Sequence, residues 1–317
     1  MSFVISDVLP LNERVKEFQI RRIDGERLPA WMPGSHIIVR FASADGRTFE
    51  NHYSLVGVNG PADVYRIAVQ RESQGKGGSA FLHDEAVPGT TLEVLGPFDS
   101  FPLAVPEAAP LPRVVLIAGG IGITPLVSMA HALACRGVPF ALHYLVKDAS
   151  HLVLHDELQT ITGDDITVHL SKVAGRADLA SLIGAYGPGD AVYACGPAGL
   201  LQSLAEVATA QHWPAHALHF ESFGARALPG DAPLTVTLSL SDMTVEVAPG
   251  TPILDALIAA DVFVSWECKR GECGNCYTQV LEGEPLHRDV CLTPAMRSQG
   301  MCTCVSWARP GHLVLEL

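Results

Sequence analysis

Cys268-Lys-Arg-Gly-Glu-Cys273-Gly-Asn-Cys276 sets three thiols close together with the spacing C-x4-C-x2-C. Eight cysteines occur in the 317 residues; six fall between Cys268 and Cys304, and only Cys135 and Cys195 lie earlier. So local a crowd points to a metal site in a small C-terminal module rather than to a disulfide scaffold spread over a large chain. Gly271 and Gly274 let such a loop wrap a bound group and aim backbone N–H groups at the sulfurs.

The spacing is that of plant-type [2Fe–2S] sites, which take a fourth thiolate from further along the chain. Cys302 and Cys304 both stand where that ligand is needed, whereas Cys291 lies in a polar segment and is not expected to bind. The alternative is zinc, which normally takes two closely spaced pairs, and three cysteines in one loop with a distant fourth fit that poorly.

Upstream of the cysteines the chain reads as a small module. Leu234 to Leu240 and Met243 to Val247 form a hairpin, and Ile253 to Ala260 a short helix. Residues 234–317 are therefore one expected domain, set off by a Gly/Pro-rich linker at 225–233. Between 109 and 224 apolar runs alternate with helical patterns: strands at Arg113 to Ala118, Phe140 to Val146, Ile166 to Leu170 and Ala191 to Ala194, with helices near Leu126 to Cys135, Leu154 to Ile161 and Leu179 to Ile183. That is a parallel α/β domain. Residues 1–108 carry short strands (His36 to Phe41, Tyr65 to Val69, Thr91 to Leu95) punctuated by turn residues, the texture of an antiparallel barrel.

Two strand ends carry chemistry in the α/β domain. Gly119-Gly-Ile-Gly122-Ile-Thr124-Pro125 follows a buried strand and opens a helix, where glycines admit a pyrophosphate and the helix N-terminus favours its charge. The third glycine of the usual dinucleotide fingerprint is absent. Cys195-Gly196-Pro197 ends another strand at the same carboxyl edge, where α/β sheets bind ligands. In the first domain Asn51-His-Tyr53-Ser54 offers an aromatic ring and a hydroxyl to an isoalloxazine. Arg71-Glu-Ser-Gln-Gly-Lys76-Gly77-Gly78-Ser79 offers backbone N–H groups and two cations to a phosphate.

A net charge of −13 argues against nucleic acid or an anionic membrane as the partner, and favours steering toward a basic patch on another protein. The first residues lack a secretory pattern, and no apolar stretch is long enough to span a bilayer, so a cytoplasmic location is expected.

Together these segments resemble the phthalate dioxygenase reductase family, and the resemblance runs through Tyr53-Ser-Leu, Gly75-Lys-Gly-Gly-Ser79, Gly119 to Pro125, Cys195-Gly-Pro, His219-Phe-Glu-Ser-Phe-Gly224 and the cysteine loop. Leu281-Glu-Gly-Glu, His287-Arg-Asp and Cys304-Val-Ser look like that family's C-terminal module. The resemblance implies a flavin-binding β-barrel, then a Rossmann-like nicotinamide domain, then a β-grasp ferredoxin domain. That order implies FMN rather than FAD, and NADH with NADPH as the alternative.

Residue by residue, it implies Tyr53 and Ser54 at the flavin ring, with the Ser54 hydroxyl near N5. Gly77, Gly78 and Ser79 would hold the flavin phosphate. Gly119, Gly120, Gly122 and Thr124 would line the nicotinamide path with Gly196 and Pro197, Cys195 would sit near the transferring carbon, and Phe223 near the flavin. Cys195, Thr124 and Ser54 are the residues expected at the reaction itself. The resemblance also selects Cys304 over Cys302 as fourth ligand, beside Cys268, Cys273 and Cys276. One position departs: the family commonly has Arg where Asn51 stands, so the charge-assisted fork on the phosphate is lost. Weaker flavin retention follows, or compensation by Arg71 or Lys76.

The expected activity is electron transfer from NADH through FMN and a [2Fe–2S] cluster to a terminal oxygenase or demethylase of Rieske type, by a monomer. A two-electron donor is thereby matched to one-electron acceptors. The alternatives are a reductase for a cytochrome P450 or another iron protein, and a non-catalytic redox-sensing or electron-transfer subunit.

Overall fold

The chain is described by a computed structural model over residues 2–43, 45–58, 63–73, 77–104, 112–223, 231–271, 273–309 and 311–317. Lys76 and residues 225–230 of the expected linker lie outside the described residues. The chain divides into two units, Met1–Gly196 with Ser203–Glu221, and Pro197–Gln202 with Ser222–Leu317.

Unit 1 holds two sheets. The first is built from β1 (Ser2–Pro10), β2 (Val15–Arg22), β3 (His36–Ala42), β4 (Thr48–Ser54), β5 (Tyr65–Gln70) and β6 (Thr91–Phe98), with helix α1 (Gly78–Asp84) between β5 and β6. The strand order is β4-β3-β6-β1-β2-β5, with antiparallel pairing throughout. This is the barrel-like sheet the turn-rich texture implies. Alternation sends Ile37, Val39, Phe18, Ile20, Ile67 and Val69 into one core, which Leu82 of α1 closes. The glycine-rich stretch expected to receive a phosphate does not stay irregular to its end. Instead Gly77 takes a left-handed φ of 95° as the N-cap of α1, and Gly78 and Ser79 form its first turn.

The second sheet comprises β7 (Val114–Gly119), β8 (Phe140–Val146), β9 (Ile166–Leu170), β10 (Ala191–Cys195) and β11 (Leu218–Glu221). Its helices are α2 (Ile123–Arg136), α3 (His155–Thr162), α4 (Ser171–Ala174), α5 (Leu179–Ile183) and α6 (Ala198–Ala210). The order β11-β10-β7-β8-β9 is parallel, so the chain reverses its direction of travel across the sheet at β7. The crevice between the carboxyl ends of β7 and β10 is therefore the switch point where such sheets take ligands. All six residues of β7 are buried, as its unbroken apolar run requires of a central strand. Helix α2 begins at Ile123, three residues before the expected start, with Pro125 in its first turn where no N–H is needed.

Unit 2 contains β12 (Leu234–Leu238), β13 (Met243–Val247), α7 (Ile253–Ala259), β14 (Tyr277–Glu282), β15 (Pro285–Leu286), α8 (Pro294–Arg297), β16 (Gly300–Cys302), β17 (Trp307–Ala308) and β18 (Gly311–Leu315). The main sheet runs β13-β12-β18-β14-β16. Strands β12 and β18 are its parallel pair, and α7 packs Ile253, Leu254 and Leu257 into the core beside them, a β-grasp. Among the described residues no helix is long and apolar enough to cross a membrane.

Candidate functional site: two cradles and a thiol cluster

The turn after β7 is shaped by close backbone approach. Gly120 takes a φ of +58° with open space around it, whereas Gly122 is pressed onto the end of β10. A Cβ at 122 would lie 2.2 Å from the carbonyl oxygen of Cys195 and 2.8 Å from the amide nitrogen of Gly196. The two motifs read separately in the sequence therefore meet at the switch point. The Thr124 hydroxyl donates to the carbonyl of Ile121 at 3.1 Å and is buried, so it braces the turn.

The Cys195 side chain is buried, with Sγ 4.0 Å from Oε2 of Glu221, its register partner on β11. Glu221 is fully buried too. In the sequence it stands in the His219–Gly224 segment but was given no role of its own, although a carboxylate closing the short strand Leu218–Glu221 was the available signal. Gly196 is buried, Pro197 is exposed, and Phe223 is 41% exposed.

The second cradle lies on β4. Asn51 and Tyr53 share one face of the strand, and Asn51 Nδ2 donates to the Tyr53 hydroxyl at 2.8 Å. Burial pushes the Tyr53 hydroxyl's pKa up, so it stays protonated. The start of α1 comes against Asn51: a Cβ on Gly78 would lie 2.6 Å from Oδ1 of Asn51. Ser54 is buried, and its Oγ has no hydrogen-bond partner among the described residues. A hydroxyl left so is costly in a folded chain, and it fits a bound ring that offers it a partner. The Ser79 hydroxyl accepts from the Glu72 N–H at 3.1 Å. Arg71, expected to compensate for the missing arginine, is engaged with a carboxylate. Its guanidinium forks onto the exposed Asp84 at 2.7 and 3.1 Å, because that carboxylate lies directly across from it.

In unit 2 the cysteine loop sits on a buried platform. Gly271 has a φ of +74°, and a Cβ there would lie 2.6 Å from Cγ2 of Val305 and 3.0 Å from Cα of Asp289. Asp289 is buried and accepts from the Leu292 N–H at 3.1 Å, Arg297 at 3.2 Å and the Ser306 hydroxyl at 3.3 Å. Pairing of Tyr277 with Cys302 lines up β14 and β16, which brings Cys276 beside the Cys302–Cys304 segment. Hydrogen bonds from the Cys302 and Cys304 thiols lower the Cys276 pKa to about 3, and the same contacts push both donors up.

The two candidates for fourth ligand part company here. Cys304 also feels Cys268 and the Gly271 N–H, which places it against the loop. Cys302 contacts Cys291 instead, Sγ to Sγ 3.7 Å. Cys273 and Cys268 touch, and the Arg270 N–H donates to Cys268 Sγ at 3.3 Å. Among the described residues no three His, Cys, Asp or Glu side chains converge as ligands of a metal ion. Instead Cys268 touches Cys273, and Cys276 touches Cys304, beside the N–H groups of Arg270 and Gly271, a donor set that fits a [2Fe–2S] cluster held by thiolates and backbone N–H groups.

A family profile described as a 2Fe-2S iron-sulfur cluster binding domain matches residues 236–309. The chain is 35% identical to phthalate dioxygenase reductase of Burkholderia cepacia over 309 residues, 95% of this chain and 92% of that one. It is 37% identical to the heme-dependent oxidative N-demethylase beta subunit of Ectopseudomonas mendocina over 315 residues, covering 99% and 97% of the two chains. Among solved structures, one of phthalate dioxygenase reductase, described as modular for electron transfer from pyridine nucleotides to [2Fe–2S], matches 100% of this chain and 98% of its own with a TM-score of 0.74 and 33% identity.

Proposed function

The chain belongs to the phthalate dioxygenase reductase family, and on that premise we propose that it takes hydride from NADH at a bound FMN and delivers single electrons through a [2Fe–2S] cluster to a terminal oxygenase. It is an electron-transfer oxidoreductase, the reductase component of an oxygenase system. Three domains follow from this reading: 1–108 for flavin, 109–224 for nicotinamide and 234–317 for the cluster. The observation that carries it is the meeting of Cys276 with Cys304 beside the Cys268 loop, in a chain whose other unit brings Gly122 onto Cys195.

The residues have distinct tasks. Gly119, Gly120 and Gly122 clear a path for the pyrophosphate, with Thr124 bracing the turn and Gly196 packed against it. Cys195, held by Glu221, sets the position of the nicotinamide. Tyr53 supports the flavin ring, Ser54 donates its idle hydroxyl, and Gly77, Gly78 and Ser79 receive the phosphate. Cys268, Cys273, Cys276 and Cys304 take the cluster. The flavin supplies the exchange between hydride and single electrons. Everything else asked of the protein is positioning and control of potential.

The acceptor in this reading is a Rieske-type oxygenase and the chain acts as a monomer in the cytoplasm, a setting that keeps its thiols reduced. A haem iron protein is the second reading, favoured by the likeness to a subunit named for a heme-dependent demethylase. Anaerobic titration of iron-replete protein with NADH tests the core of the proposal. Bleaching of flavin and cluster bands together, with more than two electrons taken up per chain, is the expected result. A protein colourless after iron loading would overturn it.

A further inference from the structure

Arg66 on β5 uses four N–H bonds to hold two carboxylates of unit 1, one on strand β2 of the barrel sheet and one on helix α3 of the α/β layer. Its Nε and Nη2 donate to Glu17 of β2 at 3.0 and 2.7 Å, and its Nη1 and Nη2 donate to Glu157 of α3 at 3.0 and 2.8 Å. The Glu17 side chain is 3% exposed, Arg66 and Glu157 30% each, so the pairs are only partly screened by water. Gly57 leaves room for the guanidinium: a Cβ there would lie 3.0 Å from Nη1.

Both ends of this clamp lead to the reaction. The Val56 N–H donates to the Arg66 carbonyl at 2.9 Å, and Val56 follows Tyr53-Ser54-Leu55 of the flavin cradle. Glu157 opens α3, whose Leu158 shares one core with Leu126, Val127 and Ala130 of α2, the helix that starts at the nicotinamide turn. Val15, Val56 and Ala68 of the barrel sheet belong to that same core. Apolar packing of this kind is non-directional. Two planar forks on one guanidinium fix both direction and distance.

Resting on the proposed function, we infer that Arg66 is a positioning residue for hydride transfer: bridging Glu17 and Glu157, it sets the approach of the nicotinamide turn to the flavin strand. In the step concerned, the C–H bond of the reduced nicotinamide breaks, hydride carries both electrons to the flavin, and oxidised nicotinamide is left. Its rate depends steeply on separation, with a misplacement of ~1 Å costing ~100-fold.

Glu157→Gln cuts only the α/β half of the clamp, and Arg66→Lys removes the fork while keeping the charge. With holoenzyme in anaerobic stopped flow, each variant is expected to lower the limiting rate of flavin reduction roughly tenfold, at unchanged half-saturation by NADH and unchanged flavin content. Glu157→Asp should recover part of the loss. A merely structural tie would lower the melting temperature and leave the limiting rate alone, and rates within twofold of wild type in both variants would overturn the assignment. Wild-type flavin that NADH fails to reduce would instead remove the proposed function, and the clamp's role with it.

Discussion

Gly122 lies against the carbonyl of Cys195, and a Cβ at 122 would come within 2.2 Å of that oxygen. The obstacle is backbone, which cannot swing aside as a long side chain would. The β7 turn and the β10 end therefore pack directly on each other, and glycine is required at 122 for space. Gly120, two residues earlier, has nothing within 4 Å among the described residues and needs glycine only for its φ of +58°.

Gly122→Ala is accordingly expected to cut NADH-driven flavin reduction by ~100-fold, through displacement of the cofactor path. Gly120→Ala should cost much less, on the order of 1–2 kcal/mol of backbone strain. Stopped-flow reduction with NADH compares the two, and dithionite-reduced cluster spectra should be unchanged in both. Equal effects would show that conformation, not space, decides the turn.

Ser54 buries a hydroxyl without a partner among the described residues. Ser54→Ala should leave the flavin-stripped protein as stable or more stable, by about 1 kcal/mol, because a desolvation cost is removed. The same change should weaken FMN binding and slow flavin reduction. Melting of the stripped protein and FMN titration read the two arms; a less stable stripped variant would mean that the hydroxyl already bonds within the chain.

Asn51→Arg restores a charge where only an amide faces the start of α1. A charge-assisted bond to phosphate is worth roughly 1.5–3 kcal/mol, so FMN should be held about tenfold tighter or more. Fluorescence titration of stripped protein with FMN measures it. No gain would indicate that the phosphate is held elsewhere than beside Gly78.

Cys304→Ala should abolish the cluster's absorbance and the paramagnetic signal of its reduced form, whereas Cys302→Ala should keep both, with the potential shifted by loss of the bond to Cys276. Iron content and electron paramagnetic resonance decide it. The reverse pattern would make Cys302 the fourth ligand.

His143 is half-buried on β8, with Nδ1 3.3 Å from Nε2 of His169. Burial, then the neighbouring imidazole, lowers its pKa to about 4 from 6.5. The unfolded chain therefore binds more protons between those values, and stability falls as pH drops from about 6.5 toward 4. Replacing His143 with Gln should flatten the decline of the melting temperature across that window. A slope identical to wild type would assign the acid sensitivity to other groups.

Much of the fold was legible because it is written at short range. Strands at Phe140–Val146 and Ile166–Leu170 and helix Leu179–Ile183 stand where their apolar patterns put them. Helix α1 was missed because Gly77, Gly78 and Ser79 are poor helix formers, and its stability comes from Leu82 packing in the barrel core. The pairing of Arg71 with Asp84 was not legible, because the two stand thirteen residues apart with no pattern linking them. Arg66 and Glu157 belong to no spacing pattern, and Glu221, although part of the His219–Gly224 segment, was given no role there.

By itself the sequence determined the kinds of chemistry present: the thiol spacing at 268–276, the glycine turn after a buried strand, the order of modules, and the absence of an arginine at 51. These depend on neighbours a few residues apart, where covalent geometry limits the choices. The tertiary structure alone decided that Gly122 touches Cys195, that Cys276 bonds to both Cys302 and Cys304, and that Arg66 joins Glu17 to Glu157. Those partners lie tens of residues apart. Which of them meet is set by strand order and register, and so by how the whole chain buries its apolar surface.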